Sequence, residues 1–275
     1  MKSKDLSDEK KRLDQLVRAV LESAKYRNIC EDLIKNIGLR ELAKRENLKA
    51  AIKSTKNKLH QISGAYFLKK PNYAFWLEKL GKVKKSGNEE FFRKTCTEIM
   101  SYHYSTRERL NILDQFYARI FSLLPPVYSI MDVACGLNPL SIPWMPLSEE
   151  AKYYAYDVYK DMISFLNEFM AINNVQGYAE VRDVVQHAPE INVDLAFILN
   201  SIPCLEQIEK SAGLKILEAV NAKFLAVSFP AQTLGGREKN MLKHYEARFN
   251  KLTQKKDWVI QRLEFRSELV FLVTK

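Results

Sequence analysis

The sequence predicts an α/β protein in which a Rossmann-like, seven-stranded sheet follows an all-helical N-terminal domain. Three observations carry this prediction. Apolar residues recur with helical spacing up to about residue 105. Beyond it, short apolar runs typical of buried strands alternate with amphipathic helices. The last two runs are separated only by Arg266 and Ser267, so they form a hairpin and one strand is antiparallel.

The N-terminal domain, residues 1–105, is predicted to consist of helices joined by loops. Their predicted bounds are Glu9–Arg27, Glu31–Ile37 with an end near Gly38, a third helix from Arg40 or Asn47 to Ile62, and Glu89–Met100. We expect Pro71 and the segment Gly81–Gly87 to interrupt the helical pattern before the last of them.

The second domain, residues 106–275, opens with an amphipathic helix over Arg107–Leu124, which Pro125 stops. Strands are predicted at 129–133, 152–156, 178–182, 194–199, 223–228, 258–265 and 268–273, with helices around 160–172 and 205–220. Parallel strands connected through helices are covered on both faces, and their ligands bind beyond the carboxyl ends of the strands.

Composition excludes several classes of protein. The four cysteines and four histidines are scattered without a CxxC pair, so neither a disulfide framework nor a metal site is indicated. The charged N-terminus has no secretory apolar region, and no apolar run approaches the length of a membrane span. We expect a protein of the reducing cytoplasm that binds no metal and no membrane.

The net charge of +10 is concentrated in the N-terminal domain. Residues 1–105 contain 24 Lys and Arg against 13 Asp and Glu, whereas the remaining 170 residues contain 19 against 20. Such an asymmetry is typical of a surface that binds a polyanion. The candidate RNA-binding residues here are Lys49, Lys53, Lys56 and His60 on one helical face, with Lys58 close to them. The alternative interpretation of this stripe is an ordinary solvated face.

The first predicted strand carries Asp132 and leads into Gly136, whose missing Cβ lets a ligand lie against the backbone. The second strand ends at Asp157, 21 residues beyond that glycine. This spacing places a carboxylate at the ribose of a bound nucleoside. One glycine instead of three argues against a bound pyrophosphate, and S-adenosylmethionine is the nucleoside that fits. The alternative is an ordinary turn followed by a chance acid.

Five longer blocks occur in order along the chain. They are LHQISGAYF at Leu59–Phe67, STRERL at Ser105–Leu110, ACGLNPL at Ala134–Leu140, IPCLE at Ile202–Glu206 and SFPAQTLGGREKNM at Ser228–Met241. In these blocks the chain resembles the aminoglycoside-resistance 16S rRNA (guanine-N7) methyltransferases, over nearly its whole length from about Leu13.

The resemblance implies a monomeric, S-adenosylmethionine-dependent enzyme with a Rossmann-like methyltransferase sheet. Its implied substrate is a guanine N7 in the 16S rRNA decoding site of the 30S subunit. The implied effect of efficient methylation is aminoglycoside resistance.

The resemblance also assigns cofactor-binding positions. Asp157 matches the carboxylate that binds the ribose, Asp183 the one that binds the adenine amino group, and Arg109 the guanidinium that holds the methionine carboxylate. The remaining candidates, some of them read from the glycine loop itself, are Tyr66, His103, Ser105, Asp132, Ala134, Gly136, Val184 and Leu199. For Arg109 the alternative is a side chain that points into solvent.

Methyl transfer to guanine N7 needs no general base, because the ring nitrogen already has an accessible lone pair. We therefore predict no catalytic residue, only groups near the target base that position it, for which Asn200 and Gln232 are the candidates. Arg237 and Lys239 are predicted to contact RNA phosphate from the loop after the fifth strand.

The chain departs from the family at several positions. The family usually has Lys at Asn200 and Gln232, Gly at Asn240, and a Gly-Asn pair at Arg266–Ser267. The first two departures remove positive charge on the target side, and two rival functions stay open. One is methylation of another RNA base or of a small molecule. The other is RNA recognition by a weakly active, cofactor-binding homologue.

Cys204 follows Pro203 after the fourth strand, where cytosine-C5 methyltransferases carry a nucleophilic cysteine. The surrounding IPCLE matches the guanine-N7 family, in which this cysteine has no nucleophilic role. We therefore expect Cys204 to be a buried structural residue.

Overall fold

The computed structural model describes residues 2–64, 67–231 and 241–275. Within them the chain forms eleven α-helices and seven β-strands. The helices are α1 (Lys2–Leu21), α2 (Glu31–Ala43), α3 (Leu48–Leu59), α4 (Tyr73–Lys85), α5 (Glu89–Met100), α6 (Tyr104–Arg109), α7 (Leu113–Phe121), α8 (Lys160–Ile172), α9 (Ile202–Ile208), α10 (Ala212–Ala219) and α11 (Met241–Thr253). The strands are β1 (Ser129–Val133), β2 (Lys152–Asp157), β3 (Gln176–Val181), β4 (Val193–Leu199), β5 (Ala222–Pro230), β6 (Val259–Glu264) and β7 (Glu268–Thr274).

The seven strands form one sheet in the order β3-β2-β1-β4-β5-β7-β6. Neighbouring strands are parallel except around β7, which runs antiparallel to both β5 and β6. The register pairs Asp132 with Ala155 and Pro230 with Glu268. The predicted Rossmann-like sheet with a terminal antiparallel hairpin is therefore confirmed. Each predicted strand is present, with its ends shifted by two residues at most.

Helices cover both faces of the sheet, and a third core lies outside it. On one face, α4, α5, α7 and α8 share a core that contains Phe92 and Phe169. On the other face, α10 and α11 pack through residues such as Leu217 and Phe249. The helices α1–α3, here called the N-terminal bundle, enclose their own core around Leu16. By packing, α4 and α5 thus share a core with the sheet, whereas α1–α3 have a core of their own. The domain boundary at residue 105 stays a prediction.

Two sets of polar contacts fix the N-terminal bundle to the sheet. The Cys30 backbone N–H donates to the carbonyl oxygen of Val158 at 2.7 Å, beyond the end of β2. Arg40 on α2 donates to the carbonyl oxygen of Ile208 and to the carboxylate of Glu209, both at 2.7 Å. The bundle therefore reaches from the β2–α8 connection to the end of α9, across the edge at which the parallel strands end.

Glycines did not end helices where the sequence pattern predicted it. Helix α2 continues past Gly38 to Ala43. A Cβ at Gly38 would lie only 2.7 Å from Leu16 Cδ2. This glycine serves the close packing of α1 on α2. Helix α4 likewise crosses Gly81, in the segment predicted to interrupt the helices, and begins at a cap in which Asn72 Oδ1 accepts from the Phe75 N–H at 3.2 Å.

Other helix bounds also differ from their predictions. The first helix ends at Leu21 instead of Arg27. The helix predicted over Arg107–Leu124 is divided into α6 and α7 by a 3₁₀ turn, and the one predicted around 205–220 is divided into α9 and α10. Helix α11 was not predicted. None of the helices in the described part of the chain is long and apolar enough to cross a membrane.

Candidate active site

A cleft of about 770 Å³ opens where β1, β2 and β4 end. Seven of the predicted cofactor-binding residues line it: His103, Ser105, Ala134, Asp157, Asp183, Val184 and Leu199. Asn200, predicted to lie near the target base, lines it as well. The position agrees with the general rule that open α/β sheets bind ligands beyond the carboxyl ends of their strands. We call this cleft the cofactor cavity.

Asp157 closes β2 and orders the loops on both sides of the cavity. Its Oδ2 accepts from the Gly136 N–H at 2.9 Å, and its Oδ1 accepts from the Val158 N–H at 2.7 Å. Burial raises the pKa of this carboxyl, while the backbone N–H donors oppose that rise. The carboxylate is therefore fixed by the backbone that it faces, in a position to accept further hydrogen bonds from a ligand.

Three buried polar atoms of the lining residues form no close hydrogen bond among the described residues: Asp183 Oδ2, Asn200 Nδ2 and Ser201 Oγ. Asp183 Oδ1 accepts from the Val185 N–H at 3.1 Å, but its Oδ2 has no hydrogen bond. The amide nitrogen of Asn200 is also buried and has no acceptor, although its backbone is held at φ 54° by a bond from the Asn200 N–H to the carbonyl oxygen of Ser228. Buried unpaired groups are costly, so these atoms are suited to bind a ligand. Asp183 can accept from an exocyclic amine such as that of adenine.

Gly136 packs closely against the side chain of His103, and its contact with a ligand stays a prediction. A Cβ at this residue would lie 2.8 Å from His103 Cε1, and the backbone has φ 53°. Glycine is therefore required for the turn and for the close approach of the imidazole. The imidazole is held by Ser105 Oγ, 3.0 Å from Nδ1. Burial and the nearby Arg109 lower the pKa of His103 to about 4, so the ring is neutral at pH 7.

Asp132 and Arg109 do not line the cofactor cavity, in contrast to their predicted roles. Asp132 is buried beneath the loop, where its Oδ2 accepts from Tyr153 OH at 2.6 Å and from Asn138 Nδ2 at 2.9 Å. Burial raises its pKa to about 7. Arg109 donates from Nε and Nη2 to both carboxylate oxygens of Glu268, and from Nη1 to Asn138 Oδ1 at 2.6 Å. Neither the predicted ligand contact nor the solvent alternative describes Arg109 as it lies here.

The sequence analysis missed the contribution of the N-terminal bundle to the cavity. Leu33 of α2 and Ile62, which follows α3, form part of the lining. Other lining residues without a prediction are Val158, Tyr159, Arg182, Ser201, Leu205 and Ile208. Val158 and Arg182 directly follow strand ends, so a search of the residues at the strand ends could have found them, whereas Leu205 and Ile208 lie in α9. Leu33 and Ile62 carry no such signal, because their contact with the cavity is long-range.

Cys204 differs from its prediction. It is half-buried instead of buried, and its side chain lines the cofactor cavity. Its Sγ lies 3.7 Å from the carbonyl oxygen of Asn200. A sequence motif alone did not distinguish a residue inside the core from one at the wall of a cleft.

The predicted basic stripe lies on α3, facing outwards. Lys49, Lys53 and His60 are exposed, and Lys56 and Lys58 are half-buried. None of the four lysines forms a salt bridge with an acid in the described ranges. His60 Nδ1 lies 3.1 Å from Lys25 Nζ. Four predicted site residues lie outside the described residues: Tyr66, Gln232, Arg237 and Lys239.

Chemically, the cavity combines an apolar lining with carboxylates at the ends of the neighbouring strands β2 and β3. This arrangement suits a nucleoside, with the base between apolar side chains and the carboxylates at its hydroxyl and amino groups. In the part of the chain that the structure describes, no three His, Cys, Asp or Glu side chains are grouped so as to hold a metal ion.

The chain is similar to known proteins over nearly its full length. A family model described as "Ribosomal RNA methyltransferase (FmrO)" matches residues 22–272. A 16S rRNA (guanine(1405)-N(7))-methyltransferase of Micromonospora echinospora is 34% identical over 266 residues, which cover 96% of this chain and 97% of that protein. A protein of the same description from Serratia marcescens is 29% identical, covering 96% and 98% of the two chains.

Solved structures are similar over the same length. The 16S rRNA methyltransferase RmtF in complex with S-adenosyl-L-homocysteine has a TM-score of 0.80 and 26% identity, covering 96% of this chain and 98% of its own. The 16S rRNA methylase RmtB has a TM-score of 0.77 and 25% identity, covering 96% and 98%. The similarity thus includes the N-terminal bundle as well as the sheet.

Proposed function

Because the chain belongs to the FmrO family of ribosomal RNA methyltransferases, we propose that it transfers a methyl group from S-adenosylmethionine to N7 of guanine in 16S rRNA. The target is then the guanine that the relatives' descriptions number 1405. The structural observation that carries the proposal is the cofactor cavity, in which Asp157 and Asp183 follow neighbouring strands of the sheet.

Two carboxylates hold the nucleoside part of the cofactor in this proposal. Asp157, already fixed by the Gly136 and Val158 N–H groups, accepts from the ribose hydroxyls. Asp183 uses its unpaired Oδ2 to accept from the adenine amino group, and Leu33, Val184 and other apolar residues of the lining surround the ring. A further hydrogen bond to this largely buried carboxylate favours binding, in addition to the donors that it already has in the Val185 N–H and the Asn36 side chain.

S-adenosylmethionine supplies an activated methyl group on a sulfonium. The protein's contribution is to hold donor and acceptor in line and to exclude water, because the N7 lone pair is available without removal of a proton. Among the described residues, Asn200 is suited to position the base, since its unpaired amide N–H group can donate to a guanine acceptor such as O6. The neutral amide of Asn200 suffices as a donor, because no charge on the guanine has to be stabilised before its N7 attacks the methyl group.

We also propose that the N-terminal bundle docks on 16S rRNA within the assembled 30S subunit, in the cytoplasm and as a monomer. The exposed lysines of α3, which have no acidic partner in the described ranges, support this docking, because phosphates would supply the counter-charge. Methylation of the decoding site is then expected to confer aminoglycoside resistance on a cell that expresses the chain.

Primer extension on reduced, aniline-treated 16S rRNA tests the reaction. RNA from cells that express the chain should give a strong stop at the methylated guanine, and cells with an empty vector should not. A stop at another base would support the rival with a different RNA target. Absence of any stop, together with measurable cofactor and 30S binding, would support a weakly active homologue and overturn the proposed reaction.

A further inference from the structure

A second cleft, of about 1110 Å³, opens beside the cofactor cavity. Helix α6 and the residues after it form one wall, and the turn between β6 and β7 forms the other. The lining residues that concern us are Tyr104, Arg107, Glu108, Asn111, Arg266 and Ser267. We call it the arginine cleft.

The arginine cleft and the cofactor cavity are neighbours at the same edge of the sheet. Adjacent residues of α6 separate them, because Tyr104 lines the arginine cleft and Ser105 lines the cofactor cavity. The β6–β7 turn is tied to the end of β5, since the Ala231 N–H donates to the carbonyl oxygen of Ser267 at 2.8 Å. A phosphate bound in the arginine cleft therefore lies next to the cofactor cavity.

Charge and hydrogen bonding in the arginine cleft favour an anion. Arg107 and Arg266 are exposed, and neither guanidinium forms a salt bridge or hydrogen bond with any residue in the described ranges. The one acid of the lining is Glu108, which is half-buried and lies near the Tyr104 hydroxyl and Arg107. The buried hydroxyl of Ser267 has no partner among the described residues. Two cations against one carboxylate leave a net positive charge.

We propose that Arg107 and Arg266 bind a backbone phosphate of the rRNA adjacent to the nucleotide whose base enters the cofactor cavity. This inference rests on the proposed function, since it takes the target to be a nucleotide in an RNA chain. A guanidinium presents paired N–H donors that match phosphate oxygens. Contacts of this kind set the position and orientation of a nucleic acid without reading its sequence.

The test compares 30S binding by the wild type, Arg107→Gln, Arg266→Gln and the double variant at several salt concentrations. Removal of one phosphate contact should reduce the slope of log affinity against log salt by about 0.7 to 0.9 in the double variant. Each single variant should show part of that reduction and a severalfold weaker affinity. Affinity for S-adenosylmethionine should stay unchanged, because neither arginine lines the cofactor cavity.

Arg262→Gln is the matched control, since Arg262 is exposed on β6 but is paired with Glu246 and Glu264. It should bind 30S subunits like the wild type. Unchanged slopes in the double variant, or an equal reduction in Arg262→Gln, would overturn the inference. The slopes are measured from binding alone and do not depend on methylation. Wild-type protein that binds 30S subunits without methylating them would overturn the proposed reaction, and the slopes would still test the phosphate site.

Discussion

Arg109 and Glu268 form a buried ion pair in which two guanidinium nitrogens meet both carboxylate oxygens. The distances are 2.8 Å from Nε to Oε1 and 3.1 Å from Nη2 to Oε2, and the side chains are 1% and 0% exposed. The two residues are 159 positions apart. The pair joins α6, next to both clefts, to the first residue of the antiparallel strand β7.

Glu268→Gln is expected to destabilise the protein strongly. It leaves the Arg109 guanidinium buried without its counter-charge, and breaking such a pair costs about 3–5 kcal/mol. Urea unfolding measures the change. The exposed pair of Arg262 with Glu264 provides the control, since Glu264→Gln should change the free energy of unfolding by less than about 1 kcal/mol. Equal effects of the two substitutions would contradict the importance of burial here.

Asp183→Asn is expected to weaken cofactor binding without loosening the glycine loop. Loss of a hydrogen bond to a charged acceptor should cost about 1.5–3 kcal/mol, or roughly tenfold to hundredfold in affinity. Asp157→Ala should cost at least as much, because this residue also holds the Gly136 N–H. Calorimetry with S-adenosylmethionine measures both, and Asp257→Asn, at an exposed position, is the control. Unchanged affinity in Asp183→Asn would remove Asp183 from the site.

His103 should make the protein less stable in acid than a variant without it. Burial lowers the pKa of His103 to about 4, whereas the unfolded chain has the ordinary value of about 6.5. Between these values the unfolded state binds a proton that the folded state does not, so the free energy of unfolding falls as the pH falls from 6.5 towards 4. Urea unfolding of the wild type and His103→Gln across this range should show the difference changing with pH. Buried carboxyls such as Asp132 titrate in both proteins, so their contributions to the pH dependence largely cancel in the difference between the two free energies of unfolding. A constant difference would contradict the lowered pKa.

Cys204→Ser should leave methyl transfer largely intact, although Cys204 lines the cofactor cavity. Attack at the methyl group by guanine N7 requires no protein nucleophile, and Ser is close to Cys in size. Methyl incorporation into 30S subunits measures the rate. Complete loss of activity in a folded variant, with a covalent RNA adduct in the wild type, would revive the cytosine-C5 mechanism.

Replacing Lys49, Lys53 and Lys56 with Glu should weaken 30S binding and flatten its salt dependence. The log–log slope falls by about 0.7 to 0.9 for each phosphate that the protein no longer neutralises. Cofactor affinity and the methylated nucleotide should not change, since these lysines do not line the cofactor cavity and read no bases. The matched control places Glu at Lys152, Lys251 and Lys255, which are exposed and distant from the carboxyl edge of the strands. An unchanged slope in the α3 variant would make the stripe an ordinary solvated face.

The sequence predicted the sheet well because buried strands are marked by local signals. A run such as Val193–Leu199 is apolar throughout except for Asp194, and the turn at Arg266–Ser267 leaves room only for a hairpin. Helices that are amphipathic and contain glycine were less visible. In the sequence, Gly38 is typical of a helix end. Only the short distance from a Cβ placed at Gly38 to Leu16 Cδ2 shows that it is a packing position.

The site was predictable where strand ends alone bring residues together. Asp157 and Asp183 follow adjacent strands, so their proximity is contained in the strand order. The role of Arg109 was not predictable in this way, because its partner Glu268 lies at the far end of the chain and nothing near Arg109 indicates it. The same holds for Leu33 and Ile62, which reach the cavity only through the docking of the N-terminal bundle.

The docking of the bundle on the sheet also sets an order of events during synthesis. The core of α1–α3 is mainly local in sequence, but Val158, Tyr159, Val181 and Ile208 also pack against it. Its anchor at Ile208 lies 168 residues beyond Arg40 and leaves the ribosome much later. Until then the nascent chain has the basic surface of α3, but its cofactor cavity is incomplete. The chain thus becomes able to bind its methyl donor only late in its synthesis.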